Sequence, residues 1–349
     1  MTQPSIRFFL GSNTPSGFRH TAAESYRANE GFRTYLLYGA AGTGKSTLLK
    51  RVYERYGDDE GEVYLCSSDP DSWDGVCFER QRICVLDATA PHVVTPSLLG
   101  GCEQLVPLVT CVDERTLYEK REPMQRLTDT AAEGHLRCRR LLAGAAEHLL
   151  QNERRMQACL DEDKLVAFAE RLIHEEVSPC ERPYFKRRFL TAMTPHGLQT
   201  LWDTVQALCP RIFVIVDEDG AAAARLMQIL LHKTAVTDRI ACPSPLFPER
   251  RLNALLLPRM GTAFVVSDAR CTVDFPVYRR IHASRFYLSD DDRQKRSFCR
   301  RTADEMLRGA AAAMADAAKA HKQLERIVGA STDWDAVSAM GEQLIERIG

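Results

Sequence analysis

The chain has 349 residues, 45% of them hydrophobic and 27% charged, and its 46 basic side chains against 47 acidic ones leave a formal net charge of −1. These globular values suit two domains of about 150 to 200 residues each and exclude a global electrostatic pull toward nucleic acid or an anionic membrane. The opening MTQPSIRFFLGSNTPSGF lacks a basic stretch followed by an apolar run, no 18 consecutive apolar residues occur, and the 12 cysteines form neither a CxxC pair nor a cysteine–histidine cluster at metal spacing, so the expectation is a cytoplasmic chain with reduced thiols and no membrane partner.

The first element in chain order is an entry segment, residues 7–18 (RFFLGSNTPSGF). An apolar strand, Arg33–Tyr38, runs into the glycine-rich loop Gly39, Ala40, Ala41, Gly42, Thr43, Gly44, Lys45, Ser46, and a helical run begins at Ser46–Thr47. Glycine at the first and sixth positions, lysine at the seventh and serine at the eighth match the phosphate-loop (Walker A) pattern in its required strand, loop, helix order. The chemistry needs these types: glycines allow backbone N–H groups to converge on a phosphate, and the helix N-terminus favours the anion. In this pattern Lys45 neutralises β and γ oxygens and Ser46 ligates Mg²⁺.

A second strand leads to Cys66 and the acidic, hydroxyl-rich loop 67–75 (SSDPDSWDG). Asp69 is the first choice there for a catalytic base and Asp74 the second, against the alternative of an Asp/Ser turn held by its own side chains. The third strand, Ile83–Leu86, ends on Asp87, the place of a Walker B carboxylate holding the metal. Thr89 and His92 follow at the carboxyl end of the sheet, where His92 could position a γ-phosphate. From about 113 to 176 the pattern becomes a helical arm, with Leu141, Leu142, Ala145, Ala146 and Leu149 at helical spacing. Prolines near 177–183 suggest a linker.

The chain then repeats itself. Residues 187–198 (RRFLTAMTPHGL) match residues 7–18 at six of twelve positions. Arg211–Val216 parallels Arg33–Tyr38, Cys242 parallels Cys66, Phe264–Asp268 parallels Ile83–Asp87, and a second helical arm occupies 290–349. The expected fold is α/β, a P-loop NTPase doubly wound parallel sheet, internally duplicated, with domains at 1–178 and 179–349. At the second loop Ala223 and Ala224 align with Lys45 and Ser46, and Asp217, Glu218 and Asp219 stand where phosphate would go, so this copy is expected not to bind a triphosphate. Arg225 and Arg270 are candidates for an arginine donated to the first site.

Together RFFLGSNTPSGF, GAAGTGKST, CSSDPDSWDG and VLDATAPHVV resemble a bacterial family of duplicated (tandem) P-loop proteins described as ATPases or nucleotide kinases. The resemblance covers the first 110 residues with specific motifs and the second half weakly. It implies ATP binding with Mg²⁺ through Gly39 to Thr47 and Asp87, and this chain departs from the family in lacking a second phosphate loop. The resulting expectation is a Mg²⁺-dependent ATPase, a hydrolase with one intact nucleotide-binding site. The alternatives are a small-molecule or nucleotide kinase and a non-catalytic ATP-gated module. A protein partner reached through the arms is open, as are a monomer formed by internal pseudo-dimer pairing and a homo-oligomer. Nucleic acid is disfavoured.

Overall fold

The computed structural model describes residues 6–25, 31–57, 61–289 and 292–349. The first half runs β1 (Ile6–Phe9), a hairpin of β2 (Gly11–Thr14) and β3 (Gly17–His20), α1 (Ala22–Ser25), β4 (Arg33–Tyr38), α2 (Lys45–Tyr56), β5 (Glu62–Leu65), β6 (Trp73–Phe78), β7 (Ile83–Asp87), β8 (Glu103–Pro107), α3 (Glu114–Glu119), α4 (Arg121–Gln157) and α5 (Glu162–Glu176). The second runs β9 (Phe185–Arg187), β10 (Thr191–Thr194), β11 (Gly197–Thr200), α6 (Trp202–Leu208), β12 (Arg211–Val216), α7 (Ala221–Lys233), β13 (Arg239–Pro243), β14 (Leu252–Leu257), β15 (Thr262–Ser267), β16 (Arg279–His282), α8 (Arg293–Gly329) and α9 (Trp334–Ile348).

The duplication holds strand for strand. One six-stranded sheet has the order β1-β5-β6-β7-β4-β8 and the other β9-β13-β14-β15-β12-β16. The arms match as well: α4 and α8 have 37 residues each, α5 and α9 have 15. The central strands are apolar because both faces are covered; Leu36 and Leu37 in β4 and Phe213 to Ile215 in β12 are fully buried.

Both sheets are mixed, which corrects the all-parallel expectation. β6 lies antiparallel to β5 and β7, and β14 antiparallel to β13 and β15. β6 begins within the segment read as the acidic loop 67–75, and it is antiparallel because residues 79–82, like 258–261, are too short for the crossover of a dozen or more residues that a parallel neighbour needs. In register, Arg33 pairs with Ile83 and Arg211 with Thr262. Asp87 therefore corresponds to Val266, and Thr89 to Asp268, so the match of Asp87 with Asp268 suggested by sequence is two residues out.

The compact units also cut across the expected boundary at 178. Among the described residues one unit comprises 6–12, 18–137 and 312–349, and the other 13–17 and 138–311. Each arm's terminal helix is built into the unit of the other half's sheet. In the first unit α9 packs on α2: Arg51 pairs with Glu342, and Tyr35 Oη donates to the Arg347 carbonyl at 3.1 Å. In the second unit Leu165, Phe168, Ala169 and Leu172 of α5 share a core with Phe213, Ile215, Leu226 and Leu230 of β12 and α7. The two attachments are alike in detail. Asp333, the N-cap of α9, donates its N–H to the Cys111 carbonyl at 2.7 Å, and Asp161, the N-cap of α5, donates to the Phe286 carbonyl at 2.8 Å. Sequence order groups α5 with the first sheet and α9 with the second, whereas the compact units group each with the other sheet.

No helix among the described residues is long and apolar enough to cross a membrane.

Candidate functional site

In the first unit, residues 39–44 connect buried β4 to α2, the expected strand, loop, helix order. Gly42 and Gly44 take φ of 90° and 85°, a region where a side chain is strained. Gly44 is the N-cap of α2 and has no side chain to cap it, and among the described residues no hydrogen bond joins the N–H of Lys45, Ser46 or Thr47 to a side chain. This contrasts with α3, α5 and α9, whose N-cap residues Asp113, Asp161 and Asp333 each accept a backbone N–H. An open helix N-terminus presents orphan donors and the positive end of the helix dipole, a natural seat for an anion.

The predicted residues gather around it. Lys45 Nζ donates to the carbonyls of Gly39 and Ala40, at 2.5 and 2.9 Å, and lies 3.6 Å from Asp87 Oδ2. Thr43 Oγ1 also donates to the Ala40 carbonyl at 2.9 Å, and Ala41 is half-buried. The Ser46 hydroxyl accepts from the Trp73 N–H at 2.9 Å, whereas Thr47 is exposed. Thr89 Oγ1 donates to the Gly39 carbonyl at 3.0 Å, which ties the loop to the end of β7. Burial raises the Asp87 carboxyl above its usual value, and the nearby Lys45 ammonium opposes that rise.

The acidic segment divides. Asp69 Oδ2 accepts from Ser72 Oγ at 3.1 Å and its carbonyl accepts from the Ser72 N–H at 2.8 Å, the side-chain-stabilised turn offered as the alternative. Asp74, on β6, is instead buried with Oδ2 2.9 Å from His92 Nε2. Burial disfavours the His92 cation, but the Asp74 carboxylate beside it outweighs burial and raises the imidazole above its usual value. Among the described contacts it is Asp74, the second choice, that joins the cluster around Asp87. Sequence understated it because β6 was hidden in the presumed loop.

The C-terminal helices brace the loop. A Cβ at Gly42 would stand 2.4 Å from the Glu325 carbonyl oxygen of α8, and one at Gly44 would stand 3.1 Å from the Trp334 ring. Because the obstacle at Gly42 is backbone and its φ is positive, Gly42→Ala is expected to destabilise the first unit by about 2 to 4 kcal/mol. Chemical denaturation with a probe in that unit measures this.

In the second unit the equivalent loop is shorter as well as altered. Residues 39–43 precede the capping Gly44 and residues 217–219 precede the capping Gly220, five against three. Gly220 has φ 82° and ψ −2°, close to the 85° and 10° of Gly44. Lys45 and Ser46 thus correspond to Ala221 and Ala222, not to Ala223 and Ala224. Asp217 fills the anion position: its carboxylate accepts from the Ala223 N–H at 2.9 Å, the Asp219 N–H at 3.2 Å and the Tyr287 hydroxyl at 3.1 Å. The adjoining cavity, lined in part by Asp217, Gly220, Arg251 and Arg270, holds about 70 Å³, well below the several hundred usual for a ligand pocket.

The two arginines considered as donors are engaged within this unit, Arg225 with Glu162 and Arg270 with Asp268 and Asp304. Asp219 is buried against Arg296, Arg300 and Asn152. Asp219→Ala leaves two guanidinium groups without their carboxylate and is expected to cost about 3 to 5 kcal/mol, read as a lower denaturation midpoint of the second unit.

No protein-family model, curated protein or solved structure matches the chain.

Proposed function

We propose that the chain binds ATP with Mg²⁺ at Gly39 to Thr47 and hydrolyses it there, as the duplicated P-loop ATPases it resembles would. The observation that carries this reading is the contrast between two equivalent helix ends. The N-terminus of α7 is filled by the buried Asp217 carboxylate, whereas among the described residues no side chain accepts from the first-turn N–H groups of α2, which has Lys45 and Asp87 beside it. A protein that leaves one of two matched anion seats open, and flanks it with a cation, fits an anionic ligand at that seat.

The α2 N–H groups and the loop backbone bind the β-phosphate. Lys45 exchanges its bonds to the Gly39 and Ala40 carbonyls for β and γ oxygens, where it stabilises charge that grows as the bridge bond breaks. Ser46 and Asp87 would hold Mg²⁺, which would supply neutralisation of the phosphate charge. The second unit, whose seat is already filled, acts as a non-binding companion.

Product analysis with the purified chain and Mg-ATP tests the reading. Free phosphate is the expected product. A phosphorylated metabolite instead would make the protein a phosphotransferase, and ATP recovered intact though bound would make it a gated module. Asp69→Asn should leave phosphate release within about twofold of wild type, since its carboxylate is occupied in the 69–72 turn; a loss of turnover with ATP binding retained would restore Asp69 as the base.

A further inference from the structure

Twelve cysteines scattered along the sequence suggest no metal site, yet among the described residues the fold assembles one candidate set. Cys66 follows β5, Asp74 lies on β6 and His92 follows β7, three neighbouring strands of the first sheet. Because β6 is antiparallel to both neighbours, its beginning meets the ends of the other two. One ligand atom from each of Cys66, Asp74 and His92 lies within 4.8 Å of the others. Zinc bonds of about 2.0 to 2.3 Å in a tetrahedron set ligand atoms roughly 3.3 to 3.8 Å apart, so a small contraction of the cluster reaches coordination distance.

Independent observations mark these as more than neighbouring polar groups. Asp74 and His92 are only 6% and 5% exposed. The Asp74 carboxylate is shared between His92 Nε2, 2.9 Å from Oδ2, and the Cys66 thiol, while His92 Nδ1 is buried without a hydrogen-bond partner. Unmatched buried polar atoms are costly. Burial and the neighbouring Asp74 carboxylate push the Cys66 thiol well above its usual value, against hydrogen bonds from the Ser68 and Asp69 N–H groups, so the metal-free cysteine is a thiol and a cation must displace its proton. Thiolate, imidazole and carboxylate together suit zinc, and three protein ligands leave a fourth position for water.

We propose that Cys66, Asp74 and His92 form a zinc site with one open coordination position at the end of the β5-β6-β7 sheet. Zinc takes a carboxylate oxygen of Asp74 and a ring nitrogen of His92 and displaces the Cys66 proton, which is released to solvent. Asp74 and His92 are then metal ligands instead of free acid and base groups. The proposal does not rest on nucleotide binding.

Cobalt(II) titration of the metal-free full-length chain, without nucleotide, tests it. The expected result is one equivalent bound with a thiolate-to-cobalt charge-transfer band and the intense visible bands of four-coordination, both erased by added zinc. Cys66→Ser removes the charge-transfer band, and His92→Gln weakens binding by more than about 100-fold, beyond the loss typical of an outer-sphere change. Cys102→Ser leaves both unchanged. Should Cys66→Ser fail to fold by circular dichroism, Asp74→Asn and His92→Gln read the same bands. Absence of the charge-transfer band in the wild-type chain, its survival in folded Cys66→Ser, or full-affinity binding in folded His92→Gln each overturns the site.

Discussion

Lys45→Ala is expected to lower kcat/KM for ATP hydrolysis by at least about 100-fold, the cost of losing one preorganised group that meets developing charge, with little change in melting temperature. Structure and reaction make different demands on this side chain. In the fold, Lys45 satisfies the carbonyls of Gly39 and Ala40, and Thr43 and Thr89 also donate to these same carbonyls. Losing the ammonium therefore leaves neither carbonyl bare; the buried Asp87 carboxylate loses its cation, but burial already raises it above its usual value so that it can take up a proton instead, and relief of desolvation at a cation only about one-tenth exposed works in the opposite direction. In the proposed reaction nothing replaces it. Lys45→Arg is expected to fail similarly, since a planar guanidinium cannot stand in for a compact ammonium inside a tight loop. Phosphate release at saturating Mg-ATP, alongside thermal unfolding of each variant, separates the two effects. Turnover persisting in folded Lys45→Ala would remove the site assignment altogether.

The parts of this site legible in the sequence are those fixed by local chemistry. Gly39 to Ser46 could be read as a tight strand-to-helix loop because glycines at fixed spacing supply the positive φ of Gly42 and Gly44, and β4 and β7 because buried strands are continuous apolar runs. What escaped was set by pairing across distance. β6 begins inside a turn-rich stretch, so Trp73 and Asp74 read as loop until β5 and β7 are placed on either side of it. The match of Asp87 to Asp268 satisfied the eye with a shared carboxylate, whereas the register that aligns Arg82, φ 53°, with Gly261, φ 59°, shifts it by two. The two-residue deletion in the second loop was masked by alanines that align equally well at either offset. Cys66, Asp74 and His92 converge only once the antiparallel strand is known.

Removing residues 334–349 is expected to unfold the first unit and abolish ATP binding, although these residues lie far along the chain from Lys45. Val337, Leu344 and Ile348 of α9 are buried, and at about 1.5 to 3 kcal/mol for each such side chain their loss amounts to roughly 5 to 9 kcal/mol, comparable with the whole stability of an ordinary domain. The sheet loses partners too: Arg33 and Tyr35 of β4 donate to the Ile348 and Arg347 carbonyls, at 3.2 and 3.1 Å, and Tyr56 of α2 to the Ile345 carbonyl at 2.5 Å. Hydrogen exchange resolves this by unit. Amides of β4 and α2 should lose protection in the shortened chain while those of β12 and α7, whose core is completed by α5, keep theirs. A fragment ending at 178 should fail for the same reason, since it carries the glycine-rich loop and its strand but neither Glu325 against Gly42 nor α9 against α2. Protection of β4 unchanged in the chain ending at Asp333 would mean that the first sheet and α2 form a complete core without the distant arm, and that the exchange of terminal helices follows from duplication without being needed for stability.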